Sequence, residues 1–273
     1  MIDDVIVGNL RKDVFLTGYH GGMAHLASCF SCMEILYSLY CKGVLRIDPN
    51  NAKWDDRDRL ILSKGHAGLA LYAVLMERGL ISRDRFHSYL QAESGIGGEP
   101  CTRDCEWIET ATGSLGHGLS VGVGMAMALK YDRRNARVFV VLGDGECEEG
   151  TVWEAAMSAA AFHLDNLVAI LDYNRIQKMD FVSRIIGAEQ WRDRLSAFGW
   201  QVEEVDGHDV EQLTVVLARK NRTEAPRFVI AHTVKGKGVS IMENNPVWHF
   251  KLPNRKELKT FQAELEINSS EME

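Results

Sequence analysis

The sequence lacks the features that would suggest a nucleic-acid-binding or membrane protein. Its formal net charge is −7, and it has no basic stripe interleaved with aromatic residues, so nucleic acid is not expected as a partner. The longest strongly apolar stretch, residues 119–129, is too short to span a bilayer and contains Gly122 and Gly124. The chain opens with acidic residues where a signal peptide would be positively charged. A cytoplasmic location is therefore expected.

The chain also lacks a convincing cysteine framework. Among its six cysteines, the pairs Cys29/Cys32 and Cys101/Cys105 have spacings that resemble those of zinc ligands. Cys29 and Cys32, however, fall in the periodic apolar stretch 26–40, which predicts that both thiols lie on the core face of a helix. We therefore interpret this pair as core residues and expect neither a zinc site nor a disulfide framework.

Length and composition are those of one large domain. The chain has 273 residues, 46% of them hydrophobic and 25% charged, with no internal repeat, and this favours a single domain over residues 1–273. Apolar runs that predict strands alternate with segments that predict helices, which indicates an α/β fold with a parallel sheet covered by helices on both faces. The predicted strands are 59–63, 137–142, 166–171, 200–205 and 227–231, and the helical segments include 67–78, 82–90 and 210–220. Residues 254–273 should form a polar helical tail with a frayed end.

Two oxygen-bearing side chains follow neighbouring predicted strands. Asp144 lies in the turn Gly143-Asp144-Gly145, and Asn174 follows the next strand. The carboxyl ends of parallel strands meet at one edge of a sheet, where ligands bind. A glycine-rich turn there brings backbone amides close to a pyrophosphate, and Asp and Asn oxygens suit Mg²⁺.

Residues 113–129 enter a helix with small side chains. Glycines at 116, 118, 122 and 124 would let another backbone approach closely. Two interpretations remain open, namely tight packing of this helix on the sheet of its own chain and pairing of two such helices across a dimer axis.

The surroundings of Asp144 and Asn174 resemble the thiamine diphosphate signature of the transketolase family. The signature covers residues 143–156 and 164–177, and further blocks follow in family order at 62–66, 112–118 and 247–249. The resemblance extends from about residue 18 to 253. A full transketolase has a pyrophosphate-binding, a pyrimidine-binding and a C-terminal domain, and this chain resembles only the first. The resemblance therefore implies the thiamine-diphosphate-binding fold and the N-terminal subunit of a split transketolase.

By that resemblance, Asp144, Asn174 and the carbonyl of Ile176 would hold Mg²⁺, and the Gly145 amide would contact the diphosphate. Leu115 would contact the aminopyrimidine side of the cofactor. The other implied contacts to thiamine diphosphate come from His66, Gly113, Gly116, Gly143, Glu154 and His249. Acidic residues are also common in the first turns of a helix, which would explain much of the placement of Glu149 and Glu154.

The resemblance also implies catalytic residues. His66 and His249 match family histidines that line the diphosphate and the substrate channel, and His25 matches one near the reacting carbons. Glu149 matches a glutamate that links two active sites through a proton network. The alternative for each histidine is a core or surface residue without a chemical role.

Three positions depart from the family pattern. The family's Gly-His-Pro-Gly reads Ala24-His25-Leu26-Ala27 here, its second Gly-His-Pro reads Gly98-Glu99-Pro100, and its later His-Gly reads His249-Phe250. Glu99 is therefore a candidate for substrate specificity, because a carboxylate accepts hydrogen bonds and repels anions. Phe250 should narrow the channel.

The predicted function is transfer of a two-carbon ketol unit from a ketose donor to an acceptor, dependent on thiamine diphosphate and Mg²⁺. In the family, the glutamate that activates the cofactor ring comes from a pyrimidine domain. This chain should therefore be active only with a separate C-terminal subunit, in an α2β2 heterotetramer. Two alternatives are an E1-type or hybrid subunit that passes the two-carbon unit to a lipoyl or carrier-protein thiol, and a non-catalytic scaffold subunit.

Overall fold

A computed structural model describes residues 2–92, 95–187, 189–221 and 223–272. Within these ranges the sheet has five strands in the order β1-β2-β3-β5-β4. The strands are β1 Arg59–Leu62, β2 Val138–Gly143, β3 Leu167–Tyr173, β4 Gln201–Asp206 and β5 Arg227–His232. All neighbouring strands are parallel. The predicted parallel α/β fold is confirmed.

The central strands β2 and β3 are apolar along most of their length because both faces of the sheet are covered. Along β2, Phe139 and Val141 point into one core cluster, whereas Val138 and Val140 point into the other. This alternation follows from the two-residue period of a strand.

Helices cover both faces of the sheet. One face packs against helices from the two ends of the chain, namely α1 Ile2–His20, α2 Leu26–Ser31, α3 Met33–Cys41, α4 Gly68–Glu77, α5 Arg83–His87, α10 Val210–Ala218 and α11 Leu258–Glu264. The other face packs against α6 His117–Tyr131, α7 Gly150–Ala161 and α9 Trp191–Ala197. A short helix, α8 Val182–Ile185, follows β3. None of the helices in the described ranges has the length and apolar character to cross a membrane.

The predicted helix over 26–40 is two helices. The backbone leaves helical geometry at Cys32, where φ is −101° and ψ is 11°, so α2 ends before Cys32 and α3 begins after it. Cys29 and Cys32 are nevertheless fully buried in the core, and the Cys32 thiol donates to the Ser28 carbonyl at 3.3 Å. The interpretation of this pair as core residues is confirmed. The predicted helix 82–90 is shorter, Arg83–His87, with Ser82 as its N-cap.

The small residues of α6 allow close packing on the sheet. A Cβ atom at Gly122 would lie 2.6 Å from Val140 Cγ2, and one at Gly118 would lie 2.3 Å from Ser63 Oγ. Packing within the chain therefore accounts for Gly118 and Gly122. A Cβ at Gly124 would meet nothing within 4 Å, so pairing across a dimer axis stays a prediction for that face of α6.

The C-terminal tail is docked, and the prediction of a frayed end is wrong for the residues described up to 272. Phe261 of α11 is fully buried and stacks on Phe15 with ring centroids 4.8 Å apart. Beyond it, Asn268 and Glu271 form a capping box around a short 3-10 turn. Although the tail is polar in composition, the aromatic ring of Phe261 alone buries a large apolar area.

Replacement of Phe261 by alanine should lower the free energy of unfolding by about 3–5 kcal/mol, because it leaves a cavity between α1 and α11. Urea unfolding of the isolated chain would measure this. The control is Phe162→Ala, whose ring is mostly exposed and should change stability by less than about 0.5 kcal/mol. Equal effects of the two variants would show that the tail is not docked.

Candidate active site

A cleft opens at the carboxyl ends of β1, β2 and β3. Its cavity volume is about 470 Å³, which lies in the range of small-molecule sites. Most of the residues singled out in the sequence line it, namely His25, His66, Glu99, Gly113, Leu115, Gly143, Asp144, Gly145, Glu149, Asn174, Ile176 and His249. Tertiary structure thus brings together segments that lie far apart in the chain.

Asp144 and Asn174 lie in turns that are hydrogen-bonded to each other. One carboxylate oxygen of Asp144 accepts from the Gly145 amide at 2.8 Å, and the other accepts from the Arg175 amide. The side-chain oxygen of Asn174 accepts from the Ile176 amide at 3.1 Å. The register of the sheet, which pairs β2 with β3 in parallel, sets this proximity.

These groups fit a magnesium ion by their chemistry. Asp144, Asn174 and the Ile176 carbonyl offer a carboxylate, an amide oxygen and a peptide oxygen, all hard donors of the kind that Mg²⁺ binds. The Ile176 carbonyl already accepts from a cation, the Lys235 ammonium, at 2.8 Å. Across the described ranges, no cluster of three or more His, Cys, Asp or Glu side chains could hold a metal. The proposed magnesium ligands differ from such a cluster, because Asp144 is the one acidic residue and the other two ligands are amide oxygens.

A buried ion pair that sequence reasoning missed lies beneath these turns. Lys64, at the end of β1, donates to Asp172 of β3, and both side chains are almost fully buried. Asp172 also accepts from Ser31 Oγ at 2.6 Å, from Asn174 Nδ2 at 3.2 Å and from Thr233 Oγ1. Burial opposes ionisation of Asp172, but the Lys64 ammonium holds its pKa below the usual range. An acidic residue at the end of an otherwise apolar strand was the available signal.

Glu146 is a second buried group that was missed. Its carboxylate accepts from the Gly143 amide at 3.0 Å, from the Gly116 amide at 2.9 Å and from Ser63 Oγ. Burial raises the pKa of Glu146. The side chain therefore ties the turn before α6 to the turn after β2, and both turns line the cleft.

Two glycines of the turn before α6 need their lack of a side chain. Gly113 has φ of +125° and Gly116 has φ of +83°, conformations that other residues adopt only at a cost. A Cβ at Gly116 would also lie 2.7 Å from Glu149 Cβ, and one at Gly65 would lie 2.6 Å from the Gly113 amide nitrogen. The turn before α6 is thus held directly against the β1 and β2 ends.

Three histidines cluster on one side of the cleft. The ring centroids of His25 and His66 are 5.2 Å apart, those of His25 and His249 are 5.3 Å apart, and those of His66 and His249 are 5.7 Å apart. Burial, with Lys235 adding to it, lowers the pKa of His25 to about 4 and that of His249 to about 3. Burial and Lys64 lower the pKa of His66 well below its usual value. All three rings are therefore uncharged at neutral pH.

Of three further predicted residues, two line the cleft and one does not. Leu115 lines the cleft from the turn before α6, and Glu149 lines it from the N-cap position of α7. Glu154 is exposed on α7 and is not among the residues that line the cleft. Contact between Glu154 and a cofactor in this cleft stays a prediction without support from the geometry of the chain.

Replacement of Lys64 by methionine should lower the free energy of unfolding by about 3–5 kcal/mol, because it leaves the buried Asp172 carboxylate without its counter-ion. The matched control is Lys130→Met, which removes a lysine from a pair with Asp165 in which both side chains are 42% exposed. Such a surface pair contributes at most about 1 kcal/mol. Similar losses for both variants in urea unfolding would contradict the role of the buried pair.

Comparison with known proteins agrees with this geometry. Residues 17–271 match the family model described as transketolase, thiamine diphosphate binding domain. One of the subunits of apulose-4-phosphate transketolase from Phocaeicola vulgatus is 41% identical, and the match covers 90% of this chain and 88% of that protein. The 6-deoxy-6-sulfo-D-fructose transketolase subunit of a Clostridium species is 36% identical, with coverage of 90% and 89%.

Longer transketolases match over only part of their length. Human transketolase is 38% identical over 84% of this chain and 36% of its own. The crystal structure of Pichia stipitis transketolase with sedoheptulose 7-phosphate superposes with a TM-score of 0.89 at 26% identity, covering 98% of this chain and 41% of that chain. Transketolase from Campylobacter jejuni gives 0.86 at 27% identity, over 96% and 43%. The chain therefore belongs to the transketolase family, as a transketolase-like enzyme subunit built on the thiamine diphosphate binding domain.

Proposed function

We propose that this chain is the cofactor-anchoring subunit of a two-subunit transketolase, which transfers a two-carbon ketol unit from a ketose donor to an aldehyde acceptor. The observation that carries the proposal is the convergence of Asp144, Asn174 and the Ile176 carbonyl in one cleft at the carboxyl ends of the strands. When bound, thiamine diphosphate supplies the electron sink that makes cleavage of a carbon–carbon bond possible.

The diphosphate end of the cofactor is assigned to the two hydrogen-bonded turns. Asp144, Asn174 and the Ile176 carbonyl hold Mg²⁺, with the Gly145 amide on the diphosphate. Lys235 supports this role, because its ammonium is buried beside the Ile176 carbonyl and adds positive charge where an anion must be held. Because Gly143 and Gly145 have no side chains, the backbone of their turn can approach the diphosphate closely.

We assign the reacting end of the cofactor to the wall of the cleft that faces these two turns. Gly113, Leu115 and Gly116 belong to the turn that would face the aminopyrimidine side of the cofactor. His25, His66 and His249 stand together as uncharged rings, so each can donate and accept hydrogen bonds from sugar hydroxyl and carbonyl groups. The Lys235 ammonium lies 3.1 Å from His249 Nδ1, which orients that ring with Nδ1 as an acceptor.

The proposal includes a separate partner subunit with a pyrimidine domain, which supplies the glutamate that activates the cofactor ring. In support, the match to this chain covers 88% of the Phocaeicola protein, which is itself named as a transketolase subunit, but only 36% of human transketolase. Ile186, which lines the cleft, is 64% exposed, and apolar residues exposed at a cleft often mark an interface.

The assembly that we propose is a cytoplasmic α2β2 heterotetramer in which this chain contributes a single cofactor-binding domain. Glu149 sits at the N-cap of α7, at the edge of the cleft. That position would allow it to pass a proton between this site and its symmetry mate.

Asp144→Asn should weaken Mg²⁺-dependent binding of thiamine diphosphate at least tenfold, because it removes the only charged ligand of the proposed metal site. Calorimetry with thiamine diphosphate and Mg²⁺ in the presence of the partner subunit measures this. The control is Asp193→Asn, an exposed position on α9, which should bind like the wild type. Absence of cofactor binding by the wild-type complex would favour a scaffold role.

The isolated chain should show no ketol transfer, because in this proposal the partner subunit supplies the group that activates the cofactor ring. Addition of the pyrimidine-domain subunit should restore turnover, followed with a ketose phosphate and an aldose acceptor. A parallel assay offers an oxidised lipoyl group as the acceptor. Appreciable turnover by the chain alone would refute the split active site, and transfer to lipoyl instead of the aldose would replace the transketolase proposal by the E1-type alternative.

A further inference from the structure

Glu99 lines the cleft with an exposed carboxylate that has no partner in the part of the chain that the structure describes. Three other acidic side chains that line the cleft, Asp144, Glu146 and Glu148, accept hydrogen bonds from protein donors. Glu149 does not, but it occupies the N-cap of α7, where negative charge is favoured. Glu99 forms no hydrogen bond or ion pair with any residue in the described ranges, although it lines the cleft.

The backbone that follows Glu99 is held in place. Pro100 packs so closely on α4 that a Cβ at Gly68 would lie 2.7 Å from its ring. The Pro100 carbonyl accepts from the Thr112 amide at 3.0 Å. The Glu99 carboxylate lies over the α-carbon of Gly113, where a Cβ would be 1.9 Å from Oε2. Its position beside the turn before α6 is therefore a consequence of packing.

No cation among the described residues pairs with the Glu99 carboxylate. Lys64 is paired with Asp172, and Lys235 donates to the Ile176 carbonyl and contacts His249. The third lysine that lines the cleft, Lys178, forms no ion pair with Glu99. The three clustered histidines carry no charge at neutral pH, since burial lowers the pKa of each ring. The Glu99 carboxylate can accept hydrogen bonds but cannot donate them, so it favours hydroxyl groups and disfavours anions.

We propose that Glu99 selects the donor substrate by charge. It accepts hydrogen bonds from the hydroxyl groups of ketoses whose reacting end is uncharged, and it disfavours 2-oxo acids, which carry a carboxylate next to the reacting ketone. This inference rests on the proposed function and adds to it a charge preference among donors that deliver the same two-carbon unit. Repulsion between like charges a few ångströms apart in a partly solvated site changes relative rates by about tenfold.

The test compares two donors that deliver the same two-carbon unit to the same aldehyde acceptor. L-Erythrulose is uncharged and hydroxypyruvate is anionic. In the complex with the pyrimidine-domain subunit, Glu99→Gln should raise the ratio of kcat/KM for hydroxypyruvate to kcat/KM for erythrulose about tenfold. Glu99→Asp, which keeps the charge, should change it much less. Glu106→Gln removes an exposed carboxylate further along the same loop that does not line the cleft, and should leave the ratio unchanged.

Salt gives a second measurement. Because ions screen the repulsion, the ratio for the wild type should rise with ionic strength, whereas that for Glu99→Gln should not. An unchanged ratio in Glu99→Gln, or an effect confined to the dissociation constant of thiamine diphosphate, would overturn the inference while the proposed function stands. Failure of the wild-type complex to transfer from either donor would overturn both.

Discussion

The buried pair of Lys64 and Asp172 is the interaction on which the cleft depends. Asp172 is the last fully buried position of β3, and it collects donors from α2, from the β1 end and from the segment after β5. Two ions removed from water are tolerated only where each has a partner and further hydrogen bonds. The pair therefore fixes the relative positions of four segments, and Asn174, bonded to the same carboxylate, takes its orientation from it.

Around this pair, the charged Asp144 and Lys235 side chains and the uncharged histidine rings lie on different sides of the cleft. The floor beside β2 and β3 carries Asp144 and the Lys235 ammonium, which suits a metal ion and a diphosphate. The histidine wall is uncharged, because burial next to Lys235 and Lys64 disfavours protonation of the rings. Under the proposed function, a sugar would meet hydrogen-bonding groups on that wall without competing for the cation. Glu99 and Lys178 also line the cleft, and by our inference the charge of Glu99 discriminates between donors.

Much of this could be predicted from the sequence, and the failures have physical reasons. Strands and the turns after them were recognisable because apolar runs and glycines are local signals. Glu146 was missed because its partners, the Gly116 amide and Ser63, are distant in the sequence. The docking of the tail was missed because a single buried ring, Phe261, outweighs a polar composition. Glu154, assigned to the cofactor through its motif, is not among the residues that line the cleft, and its contact with a cofactor stays a prediction.

The sequence by itself determined the fold class, the family and the residue types at the cofactor end, since strand periodicity, the Gly143-Asp144-Gly145 turn and the Asn174 motif are all local patterns. Only the tertiary structure decided which charges neutralise one another. Lys64 and its counter-ion Asp172 are 108 residues apart in the sequence, and pairing over such a separation follows from the strand order of the sheet. For the same reason, only the folded chain shows that Glu99 has no partner within the described ranges.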